Sequence, residues 1–327
     1  MSAIQNRSEI LFLYDVKDAN PNGDPVDENK PRIDEETGIN IVTDVRLKRT
    51  IRDYLHDKGF EIFVRKEYTD GGKLKTKEDL FDNYQSQEEV VRNCIDIRLF
   101  GGTFALKKDK KAKSKTDSES SQDTESKTEG EGAFSITGPV QFKFGRSLHK
   151  VDLTYYKGTT IMPSKAGVEQ GTFWEKYILP YSLICFYGVV NENATKQANI
   201  NIELTDKDVD SMLEAMWNGT RNLISGSKFG QVPRFLLQVV YKSNEDFHVG
   251  ELDKFVHLVT NIEEEAIRDV DDFKIEIRPL IDILKKNQNK IEKVRFKFDP
   301  RIKFTSDGYD IDIYNAFSFL NYEYFNF

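Results

Sequence analysis

The chain has 327 residues, and its 47 Lys and Arg against 55 Asp and Glu give a formal net charge of -8. Hydrophobic residues make up 38% of it, and no apolar run reaches the roughly 18 residues that a membrane-spanning helix needs. We therefore expect a soluble globular protein of two domains, or of one large domain with insertions. The first residues lack a basic segment followed by a long apolar stretch, which predicts a cytoplasmic protein without an export signal.

The cysteines and histidines show no pattern typical of a metal site or a catalytic site. Cys94 and Cys185 lie far apart within apolar segments, and the four histidines show no metal-ligand spacing. Buried, reduced thiols are the expected state of both cysteines. We predict no metal site, no cofactor and no catalytic residue.

Charge is distributed unevenly along the chain. Residues 9–36 and residues 251–277 each carry nine acidic side chains against three basic ones, so the remainder is slightly basic. Residues 45–52 hold four basic side chains and no acidic one. The acidic total does not exclude an anionic partner, because the field at a binding surface depends on the local charge.

The N-terminal part predicts a strand, a loop and a helix. Residues 8–16 place apolar side chains on both faces, which is typical of a buried strand. Residues 18–31 are dense in Asn, Pro, Gly and Asp, which favour turns. Thr43 offers an N-cap to a helix that ends at about Asp57. The apolar arc of this helix adjoins a cationic arc formed by Lys48, Arg49 and Arg52.

The rest of the chain alternates strand and helix patterns around a polar insertion. Residues 107–132 contain no aromatic residue and no aliphatic residue larger than Ala, which predicts a disordered insertion. Residues 145–171 form a turn-rich excursion. A capping box at Thr205 starts a helix to about Ser225, which the glycine loop (residues 225–231, SGSKFGQ) ends. Strands are predicted at 60–64, 94–99, 134–144 with a break at 138–139, 181–190, 199–204, 234–241, 273–277 and 294–298.

This order of elements predicts an α+β fold. A strand, a helix and further strands occur twice, as in a ferredoxin-like or RRM-like core built from two βαβ halves with large insertions. Such a core supports many functions, so the function must be argued from particular residues.

Two groups of residues could hold a phosphate backbone, which needs several cations on one surface and small donors that set its register. The first is the cationic arc, although a solvated helix face is the alternative that these residues alone favour. The second is the glycine loop, which permits close backbone approach and supplies donors from Ser227, Lys228 and Gln231. A flexible connection between helix and strand explains the glycine loop equally well.

Three further features are less specific. Asp24 and Asp27 could hold a divalent cation, but the DxDxDG spacing is absent and turn chemistry is favoured. His149, close to Arg146, could contact RNA or be an ordinary surface histidine. Met162 lies next to a proline among turn residues, where it could separate stacked bases or pack locally.

Six segments together carry a resemblance to a known family. They are DANPNGDP, VTDVRLKRTIRDYL, DIRLFGG, FSITGPVQFKFGRSLHKV, GTFWEKYILPYSLICFYGVV and SGSKFGQVPRFLLQVVY. In this order they resemble the backbone subunit of type I-B CRISPR Cascade effector complexes, the seventh Cas family of the RAMP superfamily. The resemblance extends from near the N-terminus to about Tyr241. It implies an RRM-like palm with finger and thumb, and copies that stack along a CRISPR RNA and displace bases with the thumb.

The resemblance also implies a domain division and a set of contacts. The palm would comprise residues 1–60, 134–148 and 172–327, with a finger at 61–133 and a thumb at 149–171. The implied guide contacts are Thr43, Arg46, Lys48, Arg49, Arg52, Ser227 and Lys228, to which we add Arg146, His149 and Gln231. The implied base wedges are Phe104, Thr159, Thr160 and Met162.

We therefore predict a non-catalytic CRISPR RNA-binding backbone subunit that oligomerises along the guide in a DNA-targeting complex for antiviral defence. Its expected partners are CRISPR RNA, the target DNA strand paired to the guide, other copies of itself and other Cascade subunits, but no membrane. Those subunits are a guide 5′-end-capping subunit, a large subunit and a guide-processing endoribonuclease. Three alternatives remain: a metal-dependent target-RNA endonuclease of the type III kind that uses a loop Asp, a general RRM-like RNA-binding module, and a structural protein without RNA.

Overall fold

A computed structural model describes residues 3–105, 133–159, 173–196 and 200–327 of the protein. The strands in these residues are β1 (Ser8–Ala19), β2 (Gly23–Asp24), β3 (Lys30–Pro31), β4 (Ile39–Val42), β5 (Gly101–Ala105), β6 (Ala133–Thr137), β7 (Val140–Phe142), β8 (Gly145–Lys150), β9 (Thr154–Thr159), β10 (Phe173–Val190), β11 (Val232–Tyr241), β12 (His257–Thr260), β13 (Phe273–Glu276), β14 (Ile291–Phe298), β15 (Phe304–Ser306), β16 (Tyr309–Asp310) and β17 (Tyr322–Tyr324).

Helices occur in both halves of the chain. The α-helices are α1 (Asp44–Asp57), α2 (Lys77–Phe81), α3 (Gln87–Asn93), α4 (Ile95–Phe100), α5 (Asp206–Glu214), α6 (Arg278–Lys286) and α7 (Ile313–Ala316). A π-helical turn (Ala215–Gly219) continues α5, and the 3-10 turns are Glu192–Thr195, Leu252–Phe255, Glu264–Ala266, Val270–Asp272 and Gln288–Lys290. No helix in the described residues is long and apolar enough to cross a bilayer.

A nine-stranded sheet organises the molecule. Its main path runs in the order β17-β14-β11-β1-β10-β8-β4, and β7 and β9 also pair with β10. The first strand is central, because β1 is antiparallel to both β10 and β11. This mixture of sheet and helices confirms the predicted α+β class.

Both faces of the central strands are covered. Ile10 and Phe12 of β1 belong to a core that includes residues of α1 and α5. Leu11 and Leu13 point to the opposite core, which the C-terminal residues complete. The alternation follows from the two-residue period of a strand, and it confirms the predicted two-sided burial. The sheet therefore offers no open central face, and a ligand must approach its ends or edges.

Helix α1 has the bounds that its caps predict. The Thr43 hydroxyl accepts a hydrogen bond from the backbone N–H of Arg46, and Lys58 is the C-cap. Gly59 follows with a φ of +88°, a conformation that costs glycine little. The buried residues Leu47, Ile51 and Leu55 hold the helix against the sheet.

Two predicted strands between α1 and β5 are wrong. Residues 60–64 are irregular, and residues 95–100 form α4. The carboxylate of Asp96, which α4 carries into the interior, accepts hydrogen bonds from the backbone N–H groups of Phe63 and Val64. These backbone N–H groups therefore need no partner on a neighbouring strand. The prediction of strands failed because a helix and a strand cannot be distinguished by periodicity in so short an apolar run.

Two boundaries in the second half also differ from the prediction. Residues 200–204 form no strand beyond a single bridge between Lys196 and Asn201, although Ile202 and Leu204 are buried. The helix that begins with the predicted capping box at Thr205 ends at Arg221, four residues early. The alternating apolar residues of this segment are therefore explained by burial of Ile202 and Leu204 in the core and not by pairing with a neighbouring strand.

The predicted turn-rich excursion contains regular strands. Residues 145–150 form β8, and β9 pairs with the first part of β10, from Thr159 opposite Phe173 to Thr154 opposite Ile178. We call this two-stranded extension the ribbon (residues 154–159 and 173–178). The predicted disordered insertion at 107–132 lies outside the described residues.

The C-terminal residues form an integral layer on the second face of the sheet. A four-stranded sheet, β12-β13-β15-β16, and α6 pack there around one core. The fully buried Glu9 joins this layer to β1, because its carboxylate accepts hydrogen bonds from the backbone N–H groups of Val249 and Gly250 at 2.9 and 2.8 Å. The hydroxyls of Tyr187 and Tyr241 also donate to Glu9. A buried carboxylate without a cation is stable here because four donors satisfy it.

Candidate nucleic-acid interface

Three segments that are distant in sequence meet at the end of β1. The backbone N–H of Asn20 donates to the carbonyl of Ser227 at 2.8 Å, and the Lys228 ammonium donates to the carbonyl of Asn20 at 3.2 Å. The side-chain oxygen of Asn22 accepts from both the N–H and the hydroxyl of Thr43, at 2.8 and 2.9 Å. The loop after β1 thus joins the glycine loop to the first turn of α1.

Arg46 and Lys228, which we call the cation pair, lack carboxylate partners. Neither forms an ion pair with a described residue; Arg46 donates instead to the Thr50 hydroxyl at 3.0 Å. Both side chains are half-buried. Burial lowers the pKa of Arg46 and of Lys228, and the charge of Arg46 lowers the pKa of Lys228 further. Two partly desolvated cations that repel each other form a site that an anion would stabilise.

The cationic arc of α1 differs from the prediction of an exposed strip. Lys48 pairs with Asp44 at 2.9 Å and is only 12% exposed. Arg52 pairs at 2.9 Å with the buried Asp96. Arg49, the one well-exposed member, pairs with Asp53 at 2.6 Å. Each cation thus has a carboxylate of its own, so the free positive charge lies at Arg46 and not on this arc.

The prediction that His149 lies at the surface is wrong. Its ring is buried, with Nδ1 donating to the carbonyl of Lys150 at 2.7 Å and Nε2 accepting from the N–H of Leu183 at 3.2 Å. This burial lowers the pKa of His149 and leaves no surface for RNA. Its neighbour in sequence, Arg146, is exposed and lies 3.4 Å from Asp34.

The predicted base wedges have different locations. Phe104 is buried, and its ring centroid lies 4.9 Å from that of Phe63, so the prediction that it separates bases is corrected. Thr159 is exposed at the end of β9. Thr160 and Met162 lie outside the described residues.

Sequence reasoning missed the aromatic side chains of the ribbon. Exposed rings occur on both of its strands, at Tyr155, Tyr156, Phe173 and Trp174. The Lys176 ammonium of the ribbon donates to the carbonyl of Gly226 at 2.7 Å, so the ribbon also contacts the glycine loop. The signal was present in the segments TYYK and FWEKY, whose aromatic and polar residues are typical of an exposed strand pair.

The acidic loop after β1 is occupied by local ion pairs. Asp24 pairs with Arg32 at 2.5 Å, and Asp27 pairs with Lys30 at 2.7 Å. In the described residues, no group of three or more His, Cys, Asp or Glu side chains is arranged to hold a metal ion.

Comparison with known proteins identifies the family and the fold. The family model described as CRISPR-associated protein Cas7 matches residues 6–278. The chain belongs to the Cas7 family. A CRISPR-associated protein Cas7 from Haloferax volcanii is 32% identical over 315 residues, which cover 91% of this chain and 88% of the relative. A chain of a solved "CRISPR RNA-guided surveillance complex, pre-nicking" shares the fold, with a TM-score of 0.52, 12% identity and coverage of 98% and 96% of the two chains. The range matched by the family model contains the cation pair, the glycine loop and the ribbon.

Proposed function

We propose that this Cas7 family member is a non-catalytic backbone subunit that binds CRISPR RNA and oligomerises along it. The complex would be a DNA-targeting Cascade of type I-B that acts in antiviral defence. The cation pair carries the proposal, because Arg46 and Lys228 are the partly buried cations at the end of β1 that have no carboxylate partner among the described residues. A phosphate group of the guide would neutralise both.

The neighbouring groups suit an RNA backbone. Thr43 and Ser227 place hydroxyls beside the cation pair, and the glycine loop lets the strand approach closely. The buried Oδ1 of Asn20 has no hydrogen-bond partner among the described residues, and a ribose 2′-hydroxyl is a donor that would satisfy it. Contacts to backbone alone leave the bases free to pair with a target strand.

The strand order supports an RRM-like palm for this subunit. β11-β1-β10-β8 is an antiparallel set with β1 and β10 in the middle, and α1 and α5 lie in the connections on one face. The ribbon would be the thumb, so that its limits extend to about residue 178. The finger would correspond to residues 61–133.

The partners follow from the same role. They would be CRISPR RNA, the target DNA strand, further copies of this chain, the guide 5′-end-capping subunit, the large subunit and the guide-processing endoribonuclease. The protein would act in the cytoplasm, where the guide is transcribed.

The test is to express the protein with its genomic neighbours and a CRISPR array, and to sequence the RNA that co-purifies. Uniform repeat-spacer RNA is expected. The double variant Arg46→Gln with Lys228→Gln should retain much less RNA, and its binding should lose about 0.7 from the slope of log affinity against log salt, since the two cations share one phosphate contact and each single-strand phosphate contact contributes about 0.7. Arg49→Gln is the control for loss of positive charge on α1, because it removes one charge that Asp53 already compensates.

Other outcomes would identify the alternatives. Heterogeneous cellular RNA on the wild-type protein would indicate a general RNA-binding module, and no RNA at all would indicate a structural protein. Cleavage of complementary RNA that Asp24→Ala or Asp27→Ala abolishes would establish the endonuclease. The ion pairs of Asp24 with Arg32 and of Asp27 with Lys30 argue against that outcome.

A further inference from the structure

Helix α1 offers two kinds of partner to its arginines at the same spacing of four residues. Arg49 contacts the carboxylate of Asp53 at 2.6 Å. Arg46 instead donates to the hydroxyl of Thr50 at 3.0 Å, which is the only hydrogen bond that its side chain makes with a described residue. A carboxylate neutralises a cation, whereas a hydroxyl is a neutral acceptor. Thr50 therefore restrains Arg46 without removing its positive charge.

The direction of this hydrogen bond is set by a second one. Thr50 is only 5% exposed, and its hydroxyl donates to the backbone carbonyl of Arg46 at 3.3 Å. Because a hydroxyl has one proton and two lone pairs, this bond uses the proton and leaves the lone pairs to accept from the guanidinium. The buried threonine thus presents an acceptor to Arg46.

The backbone of Thr50 also contacts the segment that leads to Lys228. A Cβ atom at Gly219, in the π-helical turn, would lie 3.2 Å from the carbonyl oxygen of Thr50 and 3.0 Å from the Cβ atom of Tyr54. Glycine therefore lets this turn approach α1 closely, and the Tyr54 hydroxyl, which donates to Glu214 at 2.7 Å, stabilises the contact. The chain continues from this turn into the glycine loop, so one contact supports both members of the cation pair.

Lys228 is restrained in the same manner, by neutral acceptors. Its ammonium donates to the carbonyl of Asn20 at 3.2 Å and to the hydroxyl of Ser227 at 3.3 Å. Gln231, the third predicted donor of the glycine loop, is buried, whereas Ser227 and Lys228 are partly exposed. A cation that is already held loses less conformational freedom when it binds an anion, so the binding is tighter.

We propose that Thr50 is a positioning residue of the guide-binding site, whose hydroxyl holds the Arg46 guanidinium in the orientation that a phosphate of the guide requires. The proposal rests on the proposed function, because Arg46 must first be a guide contact. Thr50 itself does not touch the RNA, since its side chain is buried. Its hydroxyl therefore affects how strongly the RNA is held and leaves the number of phosphate contacts unchanged.

Two substitutions at this position separate the hydroxyl from the methyl group. Thr50→Val keeps the shape of the side chain but removes the hydroxyl, so the affinity for a labelled repeat-spacer RNA should fall roughly 2- to 12-fold, the range for ordering one long side chain on binding. Thr50→Ser keeps the hydroxyl and should bind as tightly as the wild type. A merely structural role would make Thr50→Ser, which loses a buried methyl group, the more weakly binding variant.

The salt dependence of binding gives an independent readout. Thr50→Val retains both charges, so its slope of log affinity against log salt should equal that of the wild type. The cation-pair variant, Arg46→Gln with Lys228→Gln, should lose about 0.7 from this slope. Thr195→Val is the control, because it removes a buried hydroxyl at the opposite end of β1, where it donates to the carbonyl of Glu192 at 2.7 Å. The control should bind RNA as tightly as the wild type.

The outcomes distinguish the positioning role from the proposed function. Normal affinity of Thr50→Val, a reduced salt slope of this variant, or an equal loss of affinity in Thr50→Ser overturns the positioning role. If the cation-pair variant loses its RNA in the same experiments, the guide-binding role stands without it. If the cation-pair variant binds as tightly as the wild type, the proposed function itself fails at its first step.

Discussion

Individual residues in this protein differ in role according to their partners, even within one helix. On α1, Arg46 has no carboxylate partner among the described residues, whereas Arg52 reaches the buried Asp96. The first cation is available to a ligand, and the second is required by the fold. Both residues are arginines of the same helix, so the contacts of each side chain decide its role.

The buried pair of Arg52 and Asp96 gives a stability prediction. Arg52→Ala should lower the free energy of unfolding by about 3 kcal/mol or more, because the Asp96 carboxylate remains in the core without its cation. Urea denaturation measures the change. The control is Arg49→Ala, where loss of a surface pair should cost about 0.5 kcal/mol. Equal effects of the two variants would contradict the structural role of Arg52.

His149 predicts a pH dependence. Burial lowers the folded-state pKa of this ring below its ordinary value of 6.5. The unfolded chain therefore binds a proton before the folded protein does, and stability declines as the pH falls from about 6.5 to the lowered pKa. The melting temperature measured between pH 7.5 and pH 5 should fall less in His149→Gln. His56→Gln, at an exposed histidine, should keep the wild-type profile.

At the scale of elements, the connection between α4 and β5 requires a backbone conformation that favours glycine. The change from α4 to β5 occurs at Gly101, whose φ is +72°. A Cβ there would lie 2.0 Å from the carbonyl oxygen of Ile136 on the paired strand β6. The close pairing of β5 and β6 thus requires glycine at this position.

Gly101→Ala should therefore destabilise the protein by at least about 2 kcal/mol, through backbone strain and a clash with fixed backbone. Thermal unfolding followed by circular dichroism measures this. Gly226→Ala is the matched control, because an added Cβ there meets no atom within 4 Å. A melting temperature of Gly101→Ala equal to that of the control would show that β5 and β6 do not pair as described.

For the whole molecule, the C-terminal layer closes the second face of the nine-stranded sheet, and its acidic residues contact lysines of the N-terminal half of the chain. Asp269 pairs with Lys17 at 2.9 Å, Glu251 lies 3.2 Å from Lys143, and Glu264 accepts from the N–H of Lys150 at 2.7 Å. Much of the acidic charge at residues 251–277 is thus compensated within the chain. Any electrostatic contact of this acidic segment with another copy of the chain must use those acidic side chains that remain exposed and uncompensated.

The insertion at residues 107–132 yields a prediction at this scale. Its composition lacks large apolar side chains, and the strands that flank it bring Ala105 directly opposite Ala133. A deletion of residues 107–132 closed by a short glycine-containing link should change the melting temperature by less than about 3 °C, because few buried contacts would be lost. Differential scanning calorimetry measures this, and a large loss of thermal stability would refute it.

The sequence by itself determined those features that depend on neighbouring residues. The N-cap of α1 at Thr43, the capping box at Thr205 and the two-sided apolar strand β1 all follow from local hydrogen bonds and from periods of 3.6 and 2. The α+β class and the membership of the Cas7 family were predictable for the same reason, since ordered local motifs carry both.

Only the tertiary structure decided which side chains remain exposed and without an ion-pair partner, and so are available to a ligand. Asp96 comes from a distant segment to neutralise Arg52, the sheet buries His149, and Phe63 covers Phe104. The proximity of Arg46 to Lys228 likewise arises from residues far apart in sequence. Charge compensation and burial are properties of contacts in space, so no period or spacing along the chain could predict them.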